Sequence, residues 1–387
     1  MSMKILLIGE YSRLHNSLKE GFVALGHEVL LVGSGDQFKK YPVDLSIDSS
    51  FFNKGFPLFI RKVIFKLTYK DVAHWETAFR FKKLLPRLKG FDVVQLINED
   101  ALEINPKSQI RLLKKIIAQN GDLFLLCCGD DNVNINYYLK NKEKYSILTP
   151  YHNNKELKKE FQYSLKYITK PYEKLHDFIY ENCKGVIASD IDYHLPLQQH
   201  KQYLGLIPNP INIDLLKPIP LSVDSKIIIF HGINRFSSTK KGSDIIEMAL
   251  AIVKKKYPEK IEIKTTYSLP YDEYIKIYDS SHIVMDQVYG FDQGYNALEA
   301  MAKGKVVFTG AEQEWLDYYN LEADTVAINA LPDAEKIAKK LEWLILNPDK
   351  ILEISKNARD FIEREHDYVK VAERYVKTWK SNFRRLS

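Results

Sequence analysis

Glu299 stands one turn inside Ala297-Leu-Glu-Ala-Met-Ala-Lys303, a run of strong helix formers that Gly294-Tyr295-Asn296 opens and Gly304 closes. An apolar run, His282-Ile-Val-Met-Asp286, precedes it and Lys305-Val-Val-Phe-Thr309 follows, so the segment reads as strand, glycine loop, short helix and strand. The amino end of such a helix offers unpaired N–H groups and a partial positive charge, which suits a phosphate. A carboxylate one turn further on holds an anion poorly but can accept two hydrogen bonds from a sugar diol. The pattern therefore suggests a nucleotide, its phosphates on the amides at Gly294, Tyr295 and Asn296 and its ribose on Glu299. Lys303, four residues on, offers the alternative of a helical Glu–Lys pair.

Other candidates lie where strands end. Arg235, Lys240 and Lys241 follow the apolar run Lys226–Phe230, in a loop expected at the carboxyl edge of a sheet, where open α/β sheets bind ligands. Leu125-Leu-Cys-Cys-Gly-Asp130-Asp131 ends a strand with two carboxylates that could orient acceptor hydroxyls, or equally form a turn or cap a helix. Gly9, after the first strand, would let backbone approach a phosphate without a side chain between them. Asp286-Gln287 is a further polar pair near Gly294, and His15 reads as a core or surface histidine.

These residues need a scaffold of parallel strands. Lys4–Ile8, a helix near 17–25 with Leu18, Phe22 and Leu25 on one face, and Glu28–Val32 form a βαβ unit. Strands follow at Val93–Ile97, Leu123–Cys128 and Val186–Ser189, with a basic helix near Gln109–Ala118. Pro208-Asn-Pro210 to Pro218-Ile-Pro220 stiffens a connector. Beyond it the alternation restarts: strand Lys226–Phe230, a helix with Ile245, Ala249 and Ile252 on one face, strand Ile261–Thr265 and a helix from Pro270. The expected fold is α/β, two Rossmann-like doubly wound domains facing a cleft. The first spans 1–207 and the second 208–367.

The composition describes a globular protein: 387 residues, 45% hydrophobic and 27% charged, with a net charge of +6. No apolar run approaches the roughly 18 residues of a membrane span, and Ile5-Leu-Leu-Ile8 is too short for a signal-peptide core, so a cytoplasmic location is expected. Cys127, Cys128 and Cys183 space neither as a disulfide framework nor as zinc ligands. Between 54 and 89 stand ten basic residues against the two acids Asp71 and Glu76, a local +8, interleaved with Phe and Leu. That mixture reads either as a segment resting on an anionic membrane or as core residues beside a solvated cationic face. Nucleic acid is disfavoured, since no recognition motif accompanies the charge.

Leu298-Glu-Ala-Met-Ala-Lys-Gly304 with its following strand resembles the donor-site signature of the group 1 glycosyltransferases (family four type), retaining enzymes of the GT-B fold. Phe230-His-Gly-Ile-Asn-Arg235 with Lys240-Lys241-Gly242, Ile207-Pro-Asn-Pro-Ile-Asn212 and Asn357-Ala-Arg-Asp-Phe361 resemble other elements of that family, in its order. The resemblance implies transfer of a sugar from a nucleotide diphosphate sugar, the co-substrate, to a hydroxyl of a glycan or lipid-linked acceptor in surface polysaccharide or glycolipid synthesis. It implies no metal and no other cofactor, with Arg235 and Lys240 or Lys241 on the diphosphate, and a final helix, within 368–387, crossing back to the first domain. Many relatives carry a glutamate eight residues before Glu299, contacting the transferred sugar, and a histidine before Gly129; here Phe291 and Cys128 stand there, and Asp292, beside Phe291, is the carboxylate that could substitute for the glutamate. A non-catalytic binder of nucleotide sugar or glycan, and a sugar-nucleotide epimerase of the same architecture, remain as alternatives. A nicotinamide-dependent oxidoreductase is disfavoured, because Gly9-Glu-Tyr-Ser-Arg-Leu lacks the G-x-G-x-x-G turn.

Overall fold

Short β-branched and leucine-rich runs, each ended by a polar or glycine loop, become strands buried on both faces. The computed structural model describes residues 2–36, 40–68, 71–140, 144–267 and 271–383. The first sheet contains β1 (Lys4–Ile8), β2 (Glu28–Gly33), β3 (Leu45–Ser46), β4 (Val93–Leu96), β5 (Asp122–Cys127), β6 (Gly185–Ala188) and β7 (Tyr203–Leu206), in the order β3-β2-β1-β4-β5-β6-β7. The second contains β8 (Ile227–Ile233), β9 (Ile261–Tyr267), β10 (Ile283–Met285), β11 (Val306–Thr309) and β12 (Ile328–Asn329), in the order β12-β11-β10-β8-β9. Every pairing is parallel, with Ile5 opposite Val29 and Val93, and Ile283 opposite Ile229 and Val306. Ile5 to Ile8 have no exposed surface, as expected for a central strand covered by helices on both sides.

Each sheet reverses its winding once, and that fixes where a crevice opens. The chain leaves β1 toward β2 and returns on the other side with β4; likewise β8 lies between β9 and β10. The carboxyl ends of β1 and β4, and of β8 and β10, are therefore the two switch points at which such sheets bind ligands.

The last helix, Tyr368–Asn382, packs on the Leu14–Ala24 helix of the first sheet. Trp379 is fully buried with its ring centre 5.1 Å from Phe22 and 5.9 Å from Phe124. Gly21 is what permits the contact: a Cβ there would lie 2.3 Å from the Tyr368 carbonyl oxygen. The two crossings between domains are stitched together, Ile211 N–H donating to the His366 carbonyl (2.7 Å) and Tyr368 N–H to the Ile211 carbonyl (3.1 Å).

Two expectations need correction. On the Ser243–Lys256 helix the buried stripe is Ile246, Ala249, Leu250 and Val253, while Ile245 and Ile252 flank it half-buried. The first helix begins at Leu14, because its N-cap is Arg13 in the left-handed region (φ 72°), a start without the usual Ser, Asp or Asn. The charged stretch after Lys54 forms two helices, Gly55–Thr68 and Ala73–Leu84. Lys70 and Pro270 lie outside the described residues.

Candidate active site

The second-domain wall is assembled around Asp286, at the carboxyl end of β10. Its buried carboxylate takes Lys241 Nζ at 2.7 Å, Asn296 Nδ2 at 3.3 Å and Thr309 Oγ1 at 3.2 Å. Asn296 is fixed in turn, accepting from the Tyr274 hydroxyl on its side chain and from Tyr278 on its carbonyl, both at 2.8 Å. Lys241 is thereby tied to the first turn of the Tyr295–Ala302 helix. That helix starts at Gly294 with no side-chain cap and no acid in its first turn, so its leading amides have no side chain closing them off.

Glu299 is half-exposed on this helix, close enough to Tyr278, Tyr295 and Arg13 for its charge to act on all three. Lys303 does not need it as a partner: its ammonium lies 2.5 Å from Asp279. Tyr295 crosses the cleft, its hydroxyl 2.5 Å from the Pro210 carbonyl and 2.9 Å from Ser17 Oγ. Arg235 is exposed, and its guanidinium faces the Tyr267 ring on edge strand β9, 5.8 Å from the ring centre.

On the first-domain wall, the loop after β1 is strained, with Gly9, Ser12 and Arg13 in succession at φ 89°, 51° and 72°. Gly9 is required by packing, since a Cβ there would meet Ile97 Cγ2 at 2.3 Å. Its carbonyl takes His15 Nδ1 at 2.7 Å, and burial holds that histidine neutral, its pKa lowered to about 3. Glu10 is buried beside it, one oxygen accepting the Asn16 amide (2.8 Å) and side chain (2.6 Å) and the other unpartnered; burial raises its pKa to about 8. Arg13 pairs with Glu20 at 2.7 Å. The loop Gly9 to Ser12 is expected from sequence as a backbone approach to phosphate, whereas the buried Glu10 carboxylate and the Arg13 pair carry no sequence motif.

Asp130 and Lys240 meet each other. Lys240 Nζ lies 2.9 Å from Asp130 Oδ2, and both bond to Ser164 Oγ, so the ion pair bridges the domains and lowers the Asp130 pKa against its burial. Of the two lysines it is therefore Lys241, next to Gly242, that stands by the helix start. Asp131 faces inward as a helix cap: its Oδ1 accepts the Asn134 amide at 2.8 Å and Asn134 Oδ1 accepts the Asp131 amide at 3.1 Å. Burial and the Glu99 charge raise its pKa to about 7, and the role of gripping an acceptor does not fit this placement.

Between these walls lies a cavity of about 120 Å³, lined by Asp190, Asp192 and Tyr193 from one domain and Gln287, Asp292 and Gly294 from the other. The aspartates interlock. Asp292 Oδ2 accepts the Ile191 amide (3.0 Å) at the start of the Ile191–Leu197 helix, and Asp192 accepts the Phe291 and Asp292 amides, each at 3.1 Å. Asp292 Oδ1 also takes the Gln293 amide at 2.6 Å, so the carboxylate expected near a donor sugar is instead held by two backbone amides at the domain junction. Burial raises Asp192 to about 7 and Asp292 to about 6, and Asp190 rises with them as the three charges oppose one another. Phe291 stacks with Tyr138 and Tyr145, ring centres 6.3 and 5.9 Å apart, with Lys144 Nζ 4.6 Å from its own centre. It is an interdomain seal in the slot where a glutamate was expected. Asp190 and Asp192 carried no motif and were not anticipated. Cys127 and Cys183 are buried and Cys128 half-buried, all three free thiols. Among the described residues no group of three or more His, Cys, Asp or Glu is placed to hold a metal ion.

Residues 237–377, which include Lys240, Lys241, the Asp286 cluster and the Glu299 helix, match the family described as glycosyl transferase-like. The match covers about a third of the chain, in the second domain, and the fold of the whole is GT-B. Its architecture is similar to Anabaena HepE, solved with UDP and glucose, at 14% identity and a TM-score of 0.60 over 98% of this chain and 100% of that one. Sucrose-phosphate synthase from Thermosynechococcus elongatus gives 15% and 0.62, over 98% of both chains. The GT-B fold is shared outside transferases: a putative UDP-N-acetylglucosamine 2-epimerase from Listeria monocytogenes gives 11% and 0.52, over 100% of this chain and 98% of that one. No curated protein matches the chain in sequence.

Proposed function

We propose that this GT-B protein transfers a sugar from a nucleoside diphosphate sugar to a hydroxyl, retaining the anomeric configuration. One observation carries the reading: the Tyr295–Ala302 helix opens without a side-chain cap toward the cleft, with Lys241 tied to its first turn and Glu299 one turn in. The donor diphosphate would lie on the leading amides and Lys241, and the ribose diol on Glu299. The acceptor oxygen bonds to the anomeric carbon as the carbon–phosphate oxygen bond breaks, and the acceptor proton passes to a donor phosphate oxygen. The cations and amides stabilise the charge growing on the leaving diphosphate, a task that in this reading needs no metal. UDP is the first nucleotide to test, because the similar HepE structure holds it. We assign the acceptor to a glycan or lipid-linked hydroxyl in surface polysaccharide or glycolipid synthesis, within the cytoplasm.

Thermal melting with UDP, GDP, ADP and CMP tests the donor site, since binding raises the melting temperature with the logarithm of ligand concentration over Kd. One nucleoside diphosphate should stabilise the wild type and fail to stabilise Glu299→Ala. No shift with any of them would overturn the reading. Incubation with labelled donor then separates the chemistries: an epimerase accumulates epimer without acceptor, a transferase needs the acceptor, and a binder yields neither.

A further inference from the structure

We infer that the outer faces of the Gly55–Thr68 and Ala73–Leu84 helices form a docking surface for an anionic membrane. The inference stands apart from the donor site and does not rest on the transferase reading. Seventeen large hydrophobic side chains are exposed among the described residues, and eight of them fall within residues 51–79, so the apolar surface is concentrated rather than scattered. The Gly55–Thr68 helix buries no residue completely. Leu58, Ile60 and Ile64 are half-buried on its inner side, while Phe56, Phe59, Val63 and Leu67 stand outward at i, i+3, i+7 and i+11. Phe56 and Phe59 stack with ring centres 6.3 Å apart. On the next helix Trp75 is 68% exposed and Phe79, four residues on, 56%.

Charge decides the partner. The two acids of the segment are engaged, Asp71 with Arg61 at 2.6 Å and Glu76 with Arg80 at 2.8 Å. Lys54, Lys62, Lys66, Lys82, Lys83 and Lys89 are all exposed, and Lys83 Nζ lies 4.5 Å from the centre of the Phe79 ring. Lysine is depleted from protein–protein interfaces. At a bilayer surface the same mixture is favourable, as rings enter the acyl boundary and ammonium groups stay at anionic headgroups. No helix of the described residues is long and apolar enough to cross a membrane, so this surface would lie on the bilayer.

Flotation of the full chain with vesicles of phosphatidylcholine, alone or with phosphatidylglycerol added, tests the surface. The protein should float with the anionic vesicles only, less so at high salt. Phe56→Ser with Phe59→Ser, or Lys62→Glu with Lys66→Glu, should each weaken binding about tenfold or more. All four side chains are exposed, so melting temperatures should hold. Trp75 supplies a second readout, because Trp315 and Trp379 are buried and Trp343 is half-buried in the second domain: tryptophan emission should move to shorter wavelength on anionic vesicles, and Trp75→Phe should remove that change. Failure to float, binding unaltered in both double variants, an unmoved emission, or a solution dimer that the phenylalanine variant dissociates would each overturn the inference.

Discussion

On the second-domain wall Asp286, Asn296, Thr309 and Lys241 bond to one another within a single domain, which leaves the helix amides and Glu299 at the cleft. On the first-domain wall Glu10, Arg13 and Asp131 are likewise held within their domain, but two carboxylates reach across: Asp130 to Lys240, Asp192 to the amides of Phe291 and Asp292. Two neighbouring lysines on one loop thus differ in kind, Lys241 shaping a site and Lys240 joining domains. The donor wall is preorganised by its own domain, whereas the facing wall is ordered by contact with its partner and must loosen if a bulky substrate is to enter.

The largest effect that would sharpen this contrast is at Glu299. If it accepts the ribose diol as proposed, replacing it by Ala removes two hydrogen bonds to a charged acceptor, which together should weaken nucleotide binding about a hundredfold or more. Because the side chain is half-exposed, the ligand-free melting temperature should barely change. Calorimetric titration of the nucleotide that stabilises the wild type supplies the number, and near-normal affinity would move the ribose elsewhere.

A smaller effect separates the lysines. Lys241→Ala leaves the Asp286 carboxylate, which is fully buried, without its cation, so both donor affinity and stability should fall, the latter by about 2 kcal/mol once the one-third exposure of Lys241 is allowed for. Lys240→Ala should lose less than threefold in nucleotide affinity and about 1 kcal/mol in stability, as Asp130 keeps Ser164. Denaturant unfolding and titration of both variants compare the pair directly. A greater affinity loss at Lys240 would reverse the assignment.

The same contrast explains what the sequence disclosed. The βα alternation, the Gly294 loop and the helix carrying Glu299 were legible because apolar periodicity and helix-forming residues are local signals. Where Lys241 and Lys240 point was not, because distant tertiary partners decide it: Lys241 goes to Asp286, 45 positions away, and Lys240 to Asp130, 110 positions away. Asp190 and Asp192 stayed hidden for that reason, each meaning nothing until Phe291 and Asp292 come opposite. Asp131 had the local reading of a cap, and the Asn134 exchange realises it. Strands β3 and β12, two residues each, are too short to show any period.

The slightest expected effect concerns pH at the junction. Asp192 and Asp292 titrate near 7 and 6 in the folded chain against an ordinary 3.8, raised first by burial. Between about pH 4 and 7 the native state therefore holds more protons than the unfolded one, and their contribution to stability falls as pH rises through that window. Neutral buried histidines act the other way: His15 near 3, and His231 and His366 near 4, cost stability as pH drops below 6.5. Total stability can look flat while both operate, so the informative quantity is a difference. Asp192→Asn keeps an oxygen for the Phe291 and Asp292 amides but carries no charge, and its melting temperature relative to wild type should climb by a few degrees from pH 4 to 7. An offset that stays constant across that range would show that Asp192 does not hold its proton at the junction, and that the two walls meet there through charged groups after all.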